Sequence, residues 1–144
     1  MKKMNENIVV LDTHIWIWLL IGDEKIKECG FLPYINKAVK EYNVKIPAIS
    51  LWEVSMLVAK NRIVLSKNTL EWLTDAVSAP GLTVYPITPE VAYESACLPE
   101  NFHGDPADRL IVATARALNG TLLTFDKKIL EYGAKGHIKT IIPS

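Results

Sequence analysis

The sequence has few of the features that mark secreted or strongly charged proteins. It contains two cysteines in 144 residues. Cys29 and Cys97 lie far apart and form no ligand motif, which favours a reducing, intracellular setting. Lysine plus arginine and aspartate plus glutamate number 16 each, so the whole molecule has no basic field that would attract nucleic acid. Binding to nucleic acid would have to come from a local patch.

Long apolar runs are also scarce. The longest, IWIWLLI at residues 15–21, is too short to span a bilayer. Asp12 and His14 interrupt the apolar run that follows the basic amino terminus, so we expect no signal peptide. The sequence shows no internal repeat, low-complexity segment or linker, and 49% of its residues are hydrophobic. These properties predict one globular domain over residues 1–144, in the cytoplasm and without a membrane segment.

Some apolar segments have the pattern of strands and others the spacing of helices, and the two kinds alternate along the chain. This alternation indicates an α/β fold. Strand candidates, rich in β-branched residues, are 8–11, 44–49, 82–87, 121–125 and 137–142. Helix candidates are 14–21, 32–42, 50–62, 68–79, 89–98, 105–118 and 127–133. Pro47 argues that its strand lies at an edge or ends there, and residues 23–30 are a loop or a short helix. Strands that alternate with helices predict a mainly parallel sheet covered on both faces by helices.

Acidic residues follow several of these segments, and each has a local explanation. Asp12, Asp105 and Asp126 each precede a predicted helix and could cap its first turn. Ser50 and Glu53 have the S-x-x-E spacing of a capping box. When each acid is considered separately, helix capping explains it.

Taken together, the same acids point to a metal site. Asp12 and Asp126 end strands, and Glu53 and Asp108 lie in the first turns of helices that begin at the same edge of a parallel sheet. With Asp105, five carboxylates would share one crevice, where they repel each other unless some bind protons or a cation. Carboxylate oxygens without paired cysteine or histidine suit Mg²⁺ or Mn²⁺.

Four segments in this order resemble one known family. They are LDTHIW near the start, an internal S-x-W-E-V helix, HGDPADRLIVATA and LLTFD. They are similar to the PIN-domain ribonucleases and, more narrowly, to the VapC toxins of toxin–antitoxin pairs. The resemblance covers nearly the whole chain, and DPADRLIVATA is its most specific part. It implies a three-layer α/β/α sandwich with a mainly parallel central sheet.

The resemblance also implies an activity, metal-dependent hydrolysis of RNA to a 5′-phosphate and a 3′-hydroxyl. Asp12 and Asp108 would bind one or two Mg²⁺ or Mn²⁺ ions directly. Glu53, Asp105 and Asp126 would act through water, complete a second metal site or position the attacking water. The family's small hydroxyl residues match Thr13 and Thr124.

Partners follow from the same resemblance, which implies an RNA substrate, a cognate antitoxin and a homodimer. Arg109, Lys127 and Lys128 follow the acids in sequence and are candidate phosphate contacts, although solvated surface charge explains each of them as well. Trp16 and Trp18 lie in one short predicted helix, and two tryptophans are more than a single buried face of that helix needs. This excess favours a protein interface, unless both side chains are internal.

Two other classes of protein fit parts of the sequence. An aspartyl phosphotransfer enzyme could use Asp12 as its nucleophile, but the haloacid-dehalogenase pattern needs a second aspartate where His14 stands. A catalytically silent module that binds RNA or protein would keep the fold and show no metal-dependent turnover.

Overall fold

A five-stranded parallel sheet forms the centre of the computed structural model, which describes residues 7–144. Its strands are β1 (Val9–Leu11), β2 (Val44–Pro47), β3 (Leu82–Tyr85), β4 (Thr121–Leu123) and β5 (Lys139–Thr140). Their order across the sheet is β3-β2-β1-β4-β5, and each neighbouring pair is parallel. β1 therefore lies in the middle, where both its faces are buried.

Helices connect the strands and cover both faces of the sheet. They are α1 (Thr13–Ile21), α2 (Glu24–Glu28), α3 (Leu32–Lys40), α4 (Ile49–Ala59), α5 (Thr69–Ala76), α6 (Pro89–Ala96), α7 (Pro106–Leu118) and α8 (Lys127–Ala134). A short 3₁₀ turn, Pro99–Asn101, precedes α7. Within residues 7–144, the structure contains no helix with the length and hydrophobicity of a bilayer-spanning segment.

The alternation of side chains along β1 produces two cores. Val9 and Leu11 pack on one face of the sheet with residues of α1, α3 and α5. Ile8 and Val10 pack on the other face with residues of α7 and α8. Successive strand residues point to opposite faces, so a strand apolar at every position needs helices on both sides. The predicted three-layer α/β/α sandwich with a parallel sheet is confirmed.

The structure decides two open alternatives and changes some predicted boundaries. Pro47 is the last residue of β2, which confirms the predicted strand end, and β2 lies between β1 and β3 rather than at an edge. The strand predicted over 137–142 shortens to Lys139–Thr140 because the short β4 pairs with only two of its residues. Residues 23–30 contain α2, which confirms the short helix rather than the loop, and Asp23 caps α2 through the Lys25 backbone N–H.

Candidate functional site

Five carboxylates line one cavity of about 420 Å³ at the carboxyl edge of the sheet. They are the five predicted from the sequence, namely Asp12, Glu53, Asp105, Asp108 and Asp126. His14, Ile15, Trp18 and Phe125 complete the lining. The acids converge because β1 and β4 are neighbours and α4 and α7 begin at the same edge. We refer to this space as the acidic cavity.

Three of these acids also cap helices, as the local explanation predicted. The Asp12 side chain accepts from the Thr13 backbone N–H, at the start of α1. Asp105 and Asp126 do the same for α7 and α8, each through Oδ1. Within residues 7–144, Oδ2 of Asp105 and Asp126 accepts no hydrogen bond. Capping thus fixes each carboxylate through Oδ1, and in Asp105 and Asp126 it leaves Oδ2 for a ligand.

The predicted capping box of Ser50 and Glu53 is wrong. α4 begins one residue earlier than predicted, after Ala48, and no side chain caps it. Ser50 therefore lies inside the first turn, where its hydroxyl is 2.8 Å from Thr13 Oγ1. The Thr13 hydroxyl in turn donates to Glu53 Oε1. Glu53 is therefore held by the hydroxyl of Thr13, which belongs to α1. Ser50 contacts the same hydroxyl and is a site residue, although the sequence pattern indicated only a helix cap for it.

Thr124 links two of the acids. Its hydroxyl donates to Asp12 Oδ2 at 2.5 Å and accepts from the Asp126 backbone N–H at 3.0 Å. Thr124 and Thr13 are both buried, so these bonds form away from water. The two threonines predicted to support the site thus fix the positions of Asp12 and Glu53.

Burial, with a smaller contribution from neighbouring negative charges, raises the pKa of three of these acids. Burial raises the pKa of Asp12 above its usual value, although the hydrogen bond from Thr124 opposes the shift. Burial also raises the pKa of Glu53, against the bond from Thr13. For Asp108, burial and the negative charges of the other four acids raise the pKa to about 7. Negative charge on these three carboxyl groups is therefore unfavourable in the metal-free protein, and a bound cation would stabilise it.

Replacing Asp108 with Asn should stabilise the metal-free protein at pH 8 by about 1–2 kcal/mol. The effect is limited to this range because Asp108 is partly exposed and solvent screens its charge. The folded-state pKa is about 7 against a usual value of 3.8, so the folded state binds more protons than the unfolded state between these values. Stability of the wild type should therefore fall as pH rises through this window and stay low above it.

Urea unfolding in EDTA at pH 5 and pH 8 measures this effect. Asp108→Asn should make the difference in stability between the two pH values smaller than in the wild type. Glu131→Gln, a matched change at an exposed position of α8, should alter stability by less than about 0.5 kcal/mol. Equal pH dependence in wild type and Asp108→Asn would contradict the raised pKa.

The predicted phosphate contacts separate into two groups. Lys127 and Lys128 are exposed at the start of α8, beside Asp126. Arg109 instead donates to the backbone oxygens of Ser95, Phe102 and His103. Its guanidinium holds the loop before α7, which gives it a structural role that the sequence did not indicate.

His103 and the tryptophans also take definite positions. His103 Nε2 lies 3.4 Å from Asp108 Oδ2, so this loop histidine neighbours the acidic cavity. Trp16 is fully buried and packs against Trp72, which excludes Trp16 from a partner interface. Trp18 is partly exposed and lines the acidic cavity.

The donor set of the acidic cavity fits a divalent cation. Its oxygens are those of carboxylates, the ligands that Mg²⁺ and Mn²⁺ prefer. Burial and the negative charges of the other four acids raise the pKa of Asp108, and a bound cation would offset both effects. Across residues 7–144, no three acidic, histidine or cysteine side chains already stand in a geometry that would hold an ion. Binding an ion here requires side-chain rotation or bridging water.

Comparisons with known proteins agree with this geometry. The sequence profile of the PIN domain matches residues 9–135. The chain is 33% identical to Ribonuclease VapC22 of Mycobacterium tuberculosis over 122 residues, which cover 84% of this chain and 88% of that protein.

Similar folds occur in solved toxin–antitoxin structures. One is VapBC2 from Rickettsia felis bound to a promoter DNA fragment, with a TM-score of 0.65 and 17% identity over 95% of this chain and 99% of that one. Another is a toxin–antitoxin complex from Klebsiella pneumoniae, with a TM-score of 0.62 and 20% identity over 94% and 98% of the two chains. At this identity they support the fold alone, whereas the profile and the closer relative establish the family. The chain belongs to the PIN-domain family, among its VapC-type members.

Proposed function

We propose that this protein is a Mg²⁺- or Mn²⁺-dependent endoribonuclease and the toxin of a toxin–antitoxin pair. The observation that carries the proposal is the convergence of five carboxylates on the acidic cavity. A relative 33% identical to this chain is a ribonuclease by name, and every acid of the family pattern is present. The products would be a 5′-phosphate and a 3′-hydroxyl.

Asp12 and Asp108 are the residues that we expect to hold the cation. When bound, such an ion lowers the pKa of a water molecule and neutralises charge that develops on the phosphate. Glu53, Asp105 and Asp126 would contact it through water, position the attacking water or complete a second ion site. The acids are sufficient in number for one ion or two.

The remaining side chains of the site keep these acids in place. Thr124 holds Asp12 through its hydroxyl, and Thr13 holds Glu53. The stiff helix α7, buried along one face by Ile111, Val112 and Ala115, carries Asp108. Fixed carboxylates avoid much of the reorganisation that the reaction would otherwise require.

RNA must approach a strongly acidic cavity on a molecule of zero net charge. Lys127 and Lys128 are exposed beside Asp126 and are our candidates for phosphate contacts. Arg109, whose guanidinium already bonds three carbonyls, is not among them.

The structural neighbours include VapBC2 and a further toxin–antitoxin complex, which supports an antitoxin as the partner that inhibits this protein. A homodimer, a cytoplasmic location and the single-domain organisation over residues 1–144 complete the proposal. Size-exclusion chromatography with light scattering would test the dimer directly.

The activity is tested by incubating purified protein with labelled transfer RNA, ribosomal RNA and messenger RNA. We expect cleavage in Mg²⁺ or Mn²⁺, complete loss in EDTA and recovery when excess ion is restored. Calorimetric titration with Mn²⁺ should show binding in the wild type and weaker binding in Asp108→Asn. Absence of both cleavage and ion binding would favour the silent module instead.

A further inference from the structure

Asp108 differs from the other acids of the cavity because no hydrogen bond holds its carboxylate. Hydrogen bonds fix the side chains of the other four acids, namely Asp12, Glu53, Asp105 and Asp126. Within residues 7–144, neither carboxylate oxygen of Asp108 accepts a hydrogen bond, although His103 Nε2 lies 3.4 Å from Oδ2. Asp108 is nevertheless one of the two acids that we expect to bind the cation directly. The residue that most needs a fixed carboxylate is therefore the one without a partner.

The Nε2 atom of His103 is the complementary unsatisfied group. It is closed off from solvent and has no hydrogen-bond partner in the described part of the chain. The other ring nitrogen, Nδ1, accepts from the Asp105 backbone N–H at 3.4 Å. Nδ1 therefore carries no proton, and the neutral ring has its hydrogen on Nε2. Because a buried N–H without an acceptor is unfavourable, a small rotation of Asp108 that aligns Oδ2 with this N–H would satisfy both groups.

The ring of His103 is held in place by its surroundings. It packs on the ring of Phe102 with centroids 4.3 Å apart, and Phe102 packs on Tyr132 of α8 with centroids 4.6 Å apart. Arg109 donates to the backbone oxygens of Phe102 and His103. The ring is thus fixed, and Asp108 is the partner that moves. Since Nε2 is enclosed, it is placed to act on Asp108 rather than on a bound RNA.

We infer that His103 is a positioning residue, which donates a hydrogen bond from Nε2 to Oδ2 of Asp108 and so orients this carboxylate for the cation. The inference rests on the cation of the proposed function and adds the group that orders one of its two expected direct ligands. A hydrogen bond to one oxygen restricts the rotation of the carboxylate and leaves the other oxygen free, as capping does in Asp105 and Asp126. Partners that orient a metal ligand in this way typically contribute about 10- to 100-fold to metal affinity.

Two substitutions separate the hydrogen bond from the packing of the ring. His103→Phe keeps an aromatic ring against Phe102 and removes the N–H, whereas His103→Gln offers an amide N–H near the position of Nε2. The control is His137→Phe. The side chain of His137 has the same exposed fraction as that of His103, 21%. It packs on Tyr132 and lies 2.7 Å from Glu100, outside the acidic cavity. Thermal melting in EDTA measures whether the variants fold.

Calorimetric titration with Mn²⁺ should show about 10- to 100-fold weaker binding in His103→Phe. The affinities of His103→Gln and His137→Phe should stay within about threefold of the wild type. In a protein that already carries Asp108→Asn, His103→Phe should cause little further loss, because two changes to one interaction are not additive. Cleavage of RNA by His103→Phe should be slow at low Mn²⁺ and return to near the wild-type rate at saturating Mn²⁺.

Nitrogen-15 NMR of the metal-free wild type at pH 8 tests the inference without relying on a folded variant. The chain has three histidines, and the signal missing from His103→Gln is that of His103. We expect its hydrogen on Nε2. A hydrogen on Nδ1 would overturn the inference, because Nε2 would then have nothing to donate to Asp108.

Each contrary outcome has a distinct meaning. If the wild type cuts RNA and folded His103→Phe binds Mn²⁺ equally well, the inference is overturned and the proposed function stands. An equal loss of affinity with and without Asp108→Asn would also overturn the inference, as would a cleavage defect that saturating Mn²⁺ does not repair. If the wild type binds Mn²⁺ but cuts no RNA in the panel, the proposed function fails, while the titrations still decide the role of His103. If the wild type binds no ion, both fail.

Discussion

Replacing Asp12 with Asn should lower the rate of RNA cleavage at least about 100-fold and leave the protein folded. The asparagine side chain would still accept from the Thr13 N–H and pair with the Thr124 hydroxyl, which is able to reverse its donor role. The change therefore removes negative charge and little else. Cleavage of labelled RNA in Mn²⁺ and circular dichroism melting measure the two effects.

Asp23→Asn is the matched control for this prediction. Asp23 also caps a helix, through the Lys25 N–H, but it does not line the acidic cavity. The cleavage rate of Asp23→Asn should stay within about twofold of the wild-type rate, because the same chemical change then occurs outside the acidic cavity. If Asp12→Asn folds and cuts RNA at the wild-type rate, Asp12 is not part of the catalytic machinery.

Replacing Arg109 with Ala should destabilise the protein by about 2–3 kcal/mol. Arg109 donates to Ser95 O at 2.8 Å, Phe102 O at 2.5 Å and His103 O at 3.2 Å. Removing the guanidinium leaves these carbonyls without that donor, and hydrogen bonds from a charged group are stronger than neutral ones. Urea unfolding of wild type and variant measures the loss.

Replacing a residue that only contacts phosphate should weaken RNA binding without a loss of stability. The two measurements therefore distinguish a structural role of Arg109 from a phosphate contact. Lys127→Ala and Lys128→Ala, both at exposed positions, should weaken RNA binding and change stability by less than about 0.5 kcal/mol. If Arg109→Ala matched those lysine variants, with unchanged stability and weaker RNA binding, the structural role would be wrong.

Capping and metal binding are compatible roles for the acids at this edge of the sheet. A helix start favours a carboxylate through its free N–H groups and its dipole, and a parallel fold places several helix starts together. Oδ1 of Asp105 and Oδ1 of Asp126 serve the helices. The same local rule that places each acid therefore helps to build the shared site.

The sequence by itself determined the sheet, the helices and the five acids of the acidic cavity. β-branched runs, helix caps and apolar stripes depend on near neighbours in the chain, so their patterns predict local structure without knowledge of packing. The step from separate acids to one cavity needed only the rule that strand ends of a parallel sheet share an edge.

Only the tertiary structure decided which groups hold the acids and what surrounds them. Thr13 and Glu53 are 40 residues apart, and Arg109 bonds carbonyls of a loop and of α6. The sequence pattern predicts Phe125 as a strand residue, yet it lies beyond β4 and remains partly exposed. Such contacts depend on how helices and loops meet across the sheet, and no pattern of near neighbours contains that information.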